Sequence, residues 1–440
     1  MISAKNFFNH AISKVITIAF SALFSIYSVT GGLYKTPPLT PEDFTPVLRF
    51  AVCSDIHLDG KEDQKNAVRF KEMFNECYKY SANHSKYNNL DAVMVCGDMT
   101  EWGREIEYEM YEKVVSENLR DGTTMLECMG NHEFIEERET EGINAFDNYR
   151  KYVNEETEIH TVINGYHFIG VSYSDKDENF NEKIDWLDEQ LKIATREDKN
   201  KPVFVFQHPH PTLTVYGSVH WSDIKIRSVL EKYHQVVNFS GHSHYSSTDP
   251  RTLWQGSFTA MGTGALSGLL GNLDYLHADS VGSVDSGAYS IVEVDADGNI
   301  RIQVYDCVNK AFFENCDYYL KNPANKKNRI YNWGNMNSLD TRPAFPENAE
   351  IIATVNESGE TVITFPDAEG YFKAESYKIV VSKGLKNHYE GTVLSNYISA
   401  VSTEMSVNLG VLEKGAYKVS VRPSSPYGRQ GLALRGEITV

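Results

Sequence analysis

Five short motifs, in one order, limit what this chain can become. They are Asp55-Ile56-His57, Gly97-Asp98, Gly130-Asn131-His132-Glu133, His208 and Gly241-His242-Ser243-His244. Residues 47–53, 91–96, 124–128, 202–206 and 236–239 each read as a short β-strand, and these strands run into the motifs. In open α/β sheets ligands bind beyond the carboxyl ends of strands, so this order predicts one site gathered from five loops. Residues 62–80 and 105–115 are amphipathic at helical spacing. Residues 289–294 and 300–305 form a hairpin around an Asp/Asn/Gly turn, which closes a first domain.

The motifs are rich in oxygen and imidazole donors. Asp55, His57, Asp98, Asn131, His208, His242 and His244 together suit a pair of divalent cations ~3.5–4 Å apart, bridged by a carboxylate. Imidazoles suit Zn, Fe and Ni, and carboxylate and amide oxygens widen the choice to Mn. His242 and His244, with one residue between them, can each reach a different cation. Alone, His57 or His208 would be a structural histidine and Gly97-Asp98 a turn. The five motifs in series resist that reading.

Over residues 47 to 306 this set resembles the calcineurin-like metallophosphoesterase superfamily. The resemblance implies two stacked mixed sheets flanked by helices, an α/β/β/α sandwich. It also implies phosphoester hydrolysis by in-line attack of a metal-bound hydroxide. By analogy Asp55, His57, Asp98 and His244 bind one metal, and Asp98, Asn131, His208 and His242 bind the other. His132 is then no ligand but assists at the phosphoryl group, with Asn131 beside it. The run from Gly97 to Gly103, with Tyr108 downstream, is most similar to the branch that holds cyclic-nucleotide and other phosphodiesterases.

Two positions depart from related branches. Purple acid phosphatases place an iron-ligating Tyr three residues after the bridging Asp, where this chain has Glu101. Glu101 is instead expected to hydrogen-bond His132 and hold it protonated. Secreted nucleotidases carry Gly where this chain has Leu58.

Around the motifs, His210, His220 and Trp221 are candidates to line the substrate cleft. The Gly-rich residues 262–271 are a candidate anion cradle. The acidic patch Glu133, Glu136, Glu137, Glu139 and Glu141 reads as solvated surface.

The net charge of -18 disfavours duplex nucleic acid as a partner and asks for local positive charge at any site for an anionic substrate. Lys5 and Lys14 precede an apolar stretch over residues 15–29, the pattern of a secretory signal. Residues 1–32 are therefore expected to export the chain, either cleaved or kept as a membrane anchor, and residues 33–46 to link. Cys53, Cys96 and Cys128 read as small buried hydrophobes. Cys307 and Cys316 are close enough in sequence to pair, or to stay free.

The metallophosphoesterase domain is assigned to residues 47–321 and a polar linker or strap to 322–346. Residues 347–440 alternate in strands over 361–365, 377–381, 405–409 and 417–421. Residues 412–421, with Tyr427-Gly428, resemble the late strands of a fibronectin type III domain. That implies an immunoglobulin-like β-sandwich able to contact the catalytic domain or another protein. The expected substrate is a small phosphoester or a cell-envelope polymer. The rival readings are a non-catalytic surface protein, a secreted nucleotidase and a protein phosphatase. The filled ligand positions speak against the first.

Overall fold

A computed structural model describes residues 35–174, 180, 182–269 and 285–440. The expected signal segment and the end of the Gly-rich stretch, residues 270–271, lie outside the described residues.

β1 (Pro46–Cys53) leads through α1 (Lys65–Ala82) to β2 (Ala92–Cys96), and α2 (Glu105–Asn118) leads to β3 (Thr124–Cys128). Two short helices, α3 (Ile135–Glu139) and α4 (Ala145–Tyr152), precede the hairpin β4 (Glu158–Ile163) and β5 (Tyr166–Val171). After α5 (Ile184–Glu197) come β6 (Val203–Phe206), the short pair β7 (His210–Pro211) and β8 (Ser222–Asp223), α6 (Ile224–Leu230) and β9 (Val236–Ser240). β10 (Leu253–Gln255), β11 (Thr259–Gly262), β12 (Ala288–Asp295), β13 (Ile300–Asp306) and β14 (Ala311–Leu320) complete the domain.

These strands build two mixed sheets. One runs β14-β13-β12-β1-β2-β3 and the other β10-β11-β9-β6-β5-β4. β1, β2 and β3 are parallel, as are β11, β9, β6 and β5. Both faces of each sheet are covered, which is why the strands read as nearly continuous apolar runs. Phe50, Val52, Met94 and Leu126 face Phe168, Phe204, Phe206 and Phe239 between the sheets. Phe50 lies edge-on to Phe168, Phe204 and Phe239, at 5.2, 4.9 and 6.0 Å between ring centres.

Ala51, Cys53, Val93 and Val95 point the other way, into α1 and α2 through Phe70, Phe74 and Tyr111. Ile169, Val205 and Val236 meet Leu187 and Leu191 of α5 and Ile226 of α6. The result is the expected α/β/β/α stack. All six cysteines are buried and free, so Cys307 and Cys316 do not pair.

Residues 322–346 are a packed strap. Arg329 donates to the carbonyls of Gly256 and His234, and Tyr331 enters the inter-sheet core. α7 (Trp333–Leu339) follows. Asn335 holds the backbone of Lys35 from both sides, at 2.9 and 2.7 Å, which lays the start of the described chain along the strap.

The C-terminal region is a seven-stranded sandwich. β15 (Ile352–Val355), β16 (Thr361–Pro366) and β19 (Glu404–Asn408) form one antiparallel sheet. β17 (Ser376–Lys383), β18 (Lys386–Leu394), β20 (Ala416–Ser424) and β21 (Leu434–Thr439) form the other. Ile363, Phe365 and Val407 pack on Tyr377, Ile379, Val419 and Val421.

The sandwich is not an isolated appendage. Tyr397 and Ile398 join the core between the two mixed sheets. Asp306 accepts the Ala400 amide at 2.9 Å.

Candidate metal centre

Every motif leaves the carboxyl end of a strand: Asp55 and His57 after β1, Asp98 after β2, Asn131 after β3, His208 after β6, His242 and His244 after β9. Eight non-glycine residues among those described have left-handed backbone, and five of them are Asp55, His57, Asp98, His242 and His244. Such a conformation costs of order 1–3 kcal/mol per residue and persists only where its surroundings enforce it.

Loop-to-loop bonds do the enforcing. The amides of Asp55 and Ile56 donate to Gly97 and Asp98 carbonyls at 3.1 and 2.8 Å, and Gly241 donates to His208 at 2.9 Å. Glycine is required where these loops touch. A Cβ on Gly241 would collide with the Asp55 carboxylate, and one on Gly130 with that of Asp98.

Asp55, His57 and His244 form one donor cluster, and Asp98, His208 and His242 a second; His57 also groups with Glu101 and His132. In the first, Asp55 Oδ1 is 3.1 Å from His244 Nε2 and 4.0 Å from His57 Nε2. In the second, Asp98 Oδ2 is 3.0 Å from His208 Nε2, and His242 Nδ1 is 3.1 Å from the same nitrogen. Asp98 Oδ2 also lies 3.9 Å from His57 Nε2, which puts this carboxylate between the clusters.

Outer partners fix the imidazoles. Carbonyl oxygens only accept, so Cys96 O takes the Nδ1 proton of His208 at 2.8 Å and Gly268 O that of His244 at 3.2 Å. The Glu101 carboxylate sits 3.0 Å from His57 Nδ1. Each contact leaves Nε2 facing inward, the nitrogen a metal would take. The Asn131 Oδ1 is buried without a hydrogen-bond partner. Orphaned buried acceptors are rare, and a cation would satisfy this one.

Charge points the same way. Burial alone would raise the carboxyls of Asp55 and Asp98, yet the imidazoles around them hold both well below the ordinary range. Burial would lower His208, but Asp98 and then Asp55 raise it to about 9. Two buried carboxylates thus draw positive charge into the centre.

Four expectations need correction. Glu101 does not reach His132 through its carboxylate. Its side chain pairs with His57, and only its backbone carbonyl accepts from His132 Nδ1, at 2.8 Å.

His210 is not placed to bind substrate. It is 1% exposed, and Ser240 and Ser243 hydroxyls occupy both ring nitrogens at 2.8 Å. Burial, then the neighbouring His242, lowers it to about 3, so it braces the Gly241–His244 turn as a neutral ring.

The described part of the Gly-rich stretch leaves little of an anion cradle. The amides of residues 262, 263, 266, 267 and 269 already donate within the protein.

Glu133 is not solvated surface. Fully buried, it accepts from the amides of Asp98, Thr100 and Gly130 at 3.0, 2.9 and 2.6 Å, and from the Thr100 hydroxyl at 3.0 Å. It ties the bridging Asp98 to the Asn131 loop. Its place beside Asn131 and His132, directly before buried Phe134, was the available signal.

His132 is half-buried. Its amide donates to Asp98 Oδ1 at 2.9 Å, and its ring lies perpendicular to that of His57, 4.4 Å away. With Nδ1 engaged, Nε2 is the nitrogen left for a substrate. Trp221 lies edge-to-face with His242, 5.1 Å between ring centres, and walls that side, whereas His220 is exposed.

Residues 48–246 match the family model of the calcineurin-like phosphoesterases. This stretch is a calcineurin-like phosphoesterase domain. It holds all seven donors. No curated protein matches the chain.

Among solved structures, a purple acid phosphatase from yellow lupin (Lupinus luteus) seeds is 11% identical, over 62% of this chain and 54% of its own, with a TM-score of 0.42. This chain thus spans about half of the lupin enzyme. Chitinase ChiA74 from Bacillus thuringiensis is 8% identical, over 84% of this chain and 67% of its own, with a TM-score of 0.18. Neither superposition is close enough to bear on the site.

The Glu101 contact carries a prediction. Glu101→Gln weakens the hold on His57 and should lower metal affinity roughly 10-fold, the low end for outer-shell partners. Calorimetric titration of the metal-free protein checks it. Unchanged affinity would mean His57 does not depend on Glu101.

Proposed function

We propose that this chain is an exported phosphoesterase with a dinuclear metal centre, acting on phosphodiesters or phosphomonoesters. The observation that carries the reading is the set of inward Nε2 atoms, fixed from behind, together with the unpartnered Asn131 oxygen. Asp55, His57, Asp98 and His244 would hold one divalent ion, and Asp98, Asn131, His208 and His242 the other. When bound, the ions supply Lewis acidity and neutralise phosphoester charge. Mn, Fe, Zn and Ni all suit this donor set.

The chain's own groups do the rest. Asp98 holds the His132 backbone through Oδ1 while its other oxygen faces His208. The Glu101 carbonyl takes the Nδ1 proton of His132, so the ring protonated at both nitrogens can pass its Nε2 proton to the leaving oxygen. Glu101, standing where an iron-ligating Tyr would be, makes a ferric tyrosinate centre a poor fit.

Export is supported by the basic and apolar start of the sequence. An extracellular setting, secreted or membrane-anchored, favours a small phosphoester or a cell-envelope polymer as substrate.

His132→Ala tests the assigned role. It should keep its metals, measured by elemental analysis, and lose roughly 10²-fold in kcat on alkyl esters, the lower end for general acid catalysis. Aryl esters, whose leaving groups need no proton, should suffer far less. Equal loss on both classes would refute the role.

A further inference from the structure

Tyr216 and Arg251 stand behind the metal centre in loops of the catalytic domain, yet their polar ends meet the C-terminal sandwich. The Tyr216 hydroxyl donates to Glu375 Oε1 at 2.9 Å, and Arg251 Nη2 donates to the same oxygen at 2.5 Å. Arg251 is also forked onto Asp249 at 2.8 and 2.6 Å, and its guanidinium lies 3.8 Å above the Tyr216 ring. The Arg251 and Glu375 side chains are each only 12% exposed. Buried ion pairs are a weak source of net stability, and fixing a unique geometry is their better-attested use.

From Tyr216 the contacts run to the ligands. Its ring packs on Tyr245, 4.8 Å between centres, and Tyr245 directly follows His244. Gly217 has φ +91°, and a Cβ there would strike Tyr245 and Ser243 at 2.8 and 2.9 Å. The Gly217 carbonyl accepts the amides of His220 and Trp221 at 3.1 and 3.2 Å. Trp221 then abuts His242.

We propose that Glu375, supplied by the C-terminal sandwich, is a positioning residue for the metal centre. By fixing Tyr216 and Arg251 it seats the Gly217 turn against Ser243 and Tyr245, and Trp221 against His242. The sandwich is thereby part of the hydrolytic unit. This rests on the phosphoesterase reading above, so its test reads metal binding as well as turnover.

Full-length Glu375→Ala, Tyr216→Phe and Glu375→Gln proteins, stripped of metal, are titrated with Mn2+ by calorimetry, and their melting, kcat and KM on a generic diester are measured. Glu375→Ala and Tyr216→Phe should each weaken Mn2+ binding roughly 10-fold and lower kcat more than they raise KM. Glu375→Gln keeps Oε1 as an acceptor and should restore most of both.

Wild-type Mn2+ affinity and kcat in Glu375→Ala, with only a lower melting temperature, would overturn the proposal. If Glu375→Ala does not fold, wild-type affinity in Tyr216→Phe would overturn it alone. Wild-type protein that takes up Mn2+ but hydrolyses nothing would sink the phosphoesterase reading, while the variants still decide the brace. Wild-type protein that binds no Mn2+ would sink both.

Discussion

Asp98→Ala should strip the centre of metal and hydrolysis together. The carboxylate lies between the two clusters, 3.0 Å from His208 and 3.9 Å from His57, and its other oxygen holds the His132 amide. Removing it takes a shared donor from both sites and loosens the loop that carries the proton donor. Losing an outer-shell partner already costs 10–100-fold in affinity or activity, so loss of this residue should exceed ~100-fold in both. Elemental analysis of the purified variant beside its kcat/KM checks the link. A variant that keeps full metal but loses turnover would make Asp98 a catalytic group and no bridge.

Glu133→Ala should be the most destabilising change near the centre. Four donors, the amides of Asp98, Thr100 and Gly130 and the Thr100 hydroxyl, would lose their acceptor inside the protein. Each orphaned donor costs about 1–3 kcal/mol before relaxation, so a total of roughly 3 kcal/mol or more is expected. Domains have only ~5–15 kcal/mol in hand, so the variant should melt well below wild type. Glu133→Gln keeps the shape but turns an N–H toward other N–H groups, and should fall between. Thermal unfolding of the three metal-free proteins measures the series. If Glu133→Ala unfolds with wild type, the carboxylate does not organise these loops.

The order of strands and the gathering of the motifs were legible for a physical reason. Strands covered on both faces carry apolar runs, and each run ends where the backbone turns polar. What escaped reading depends on direction or distance.

Glu133 looks like its acidic neighbours Glu136, Glu137, Glu139 and Glu141, and only its loop turns it inward. Glu101 sits at the right place in the chain, but its rotamer sends the carboxylate to His57 and leaves only a carbonyl for His132. His210 follows a ligand by two residues, yet Ser240 at the end of β9 and Ser243 just after it claim both nitrogens.

The β4–β5 turn, Asn164-Gly165, has φ +51° and +75°, the left-handed pair that Asn-Gly favours, so this hairpin, absent from the strands expected above, carried a local signal. β15 and β18 are exposed edge strands with weak alternation, which hid them. The meeting of Arg251 with Glu375 spans 124 residues of sequence, beyond any local pattern.

The central claim is a dinuclear centre that performs the chemistry. The most direct measurement is metal content of the purified full-length protein, paired with hydrolysis of a generic phosphodiester before chelation, after it and after adding back Mn2+. The account predicts about two divalent ions per chain, with hydrolysis abolished by the chelator and restored by the metal. A protein that binds no divalent ion, or whose hydrolysis survives complete metal removal, would contradict it.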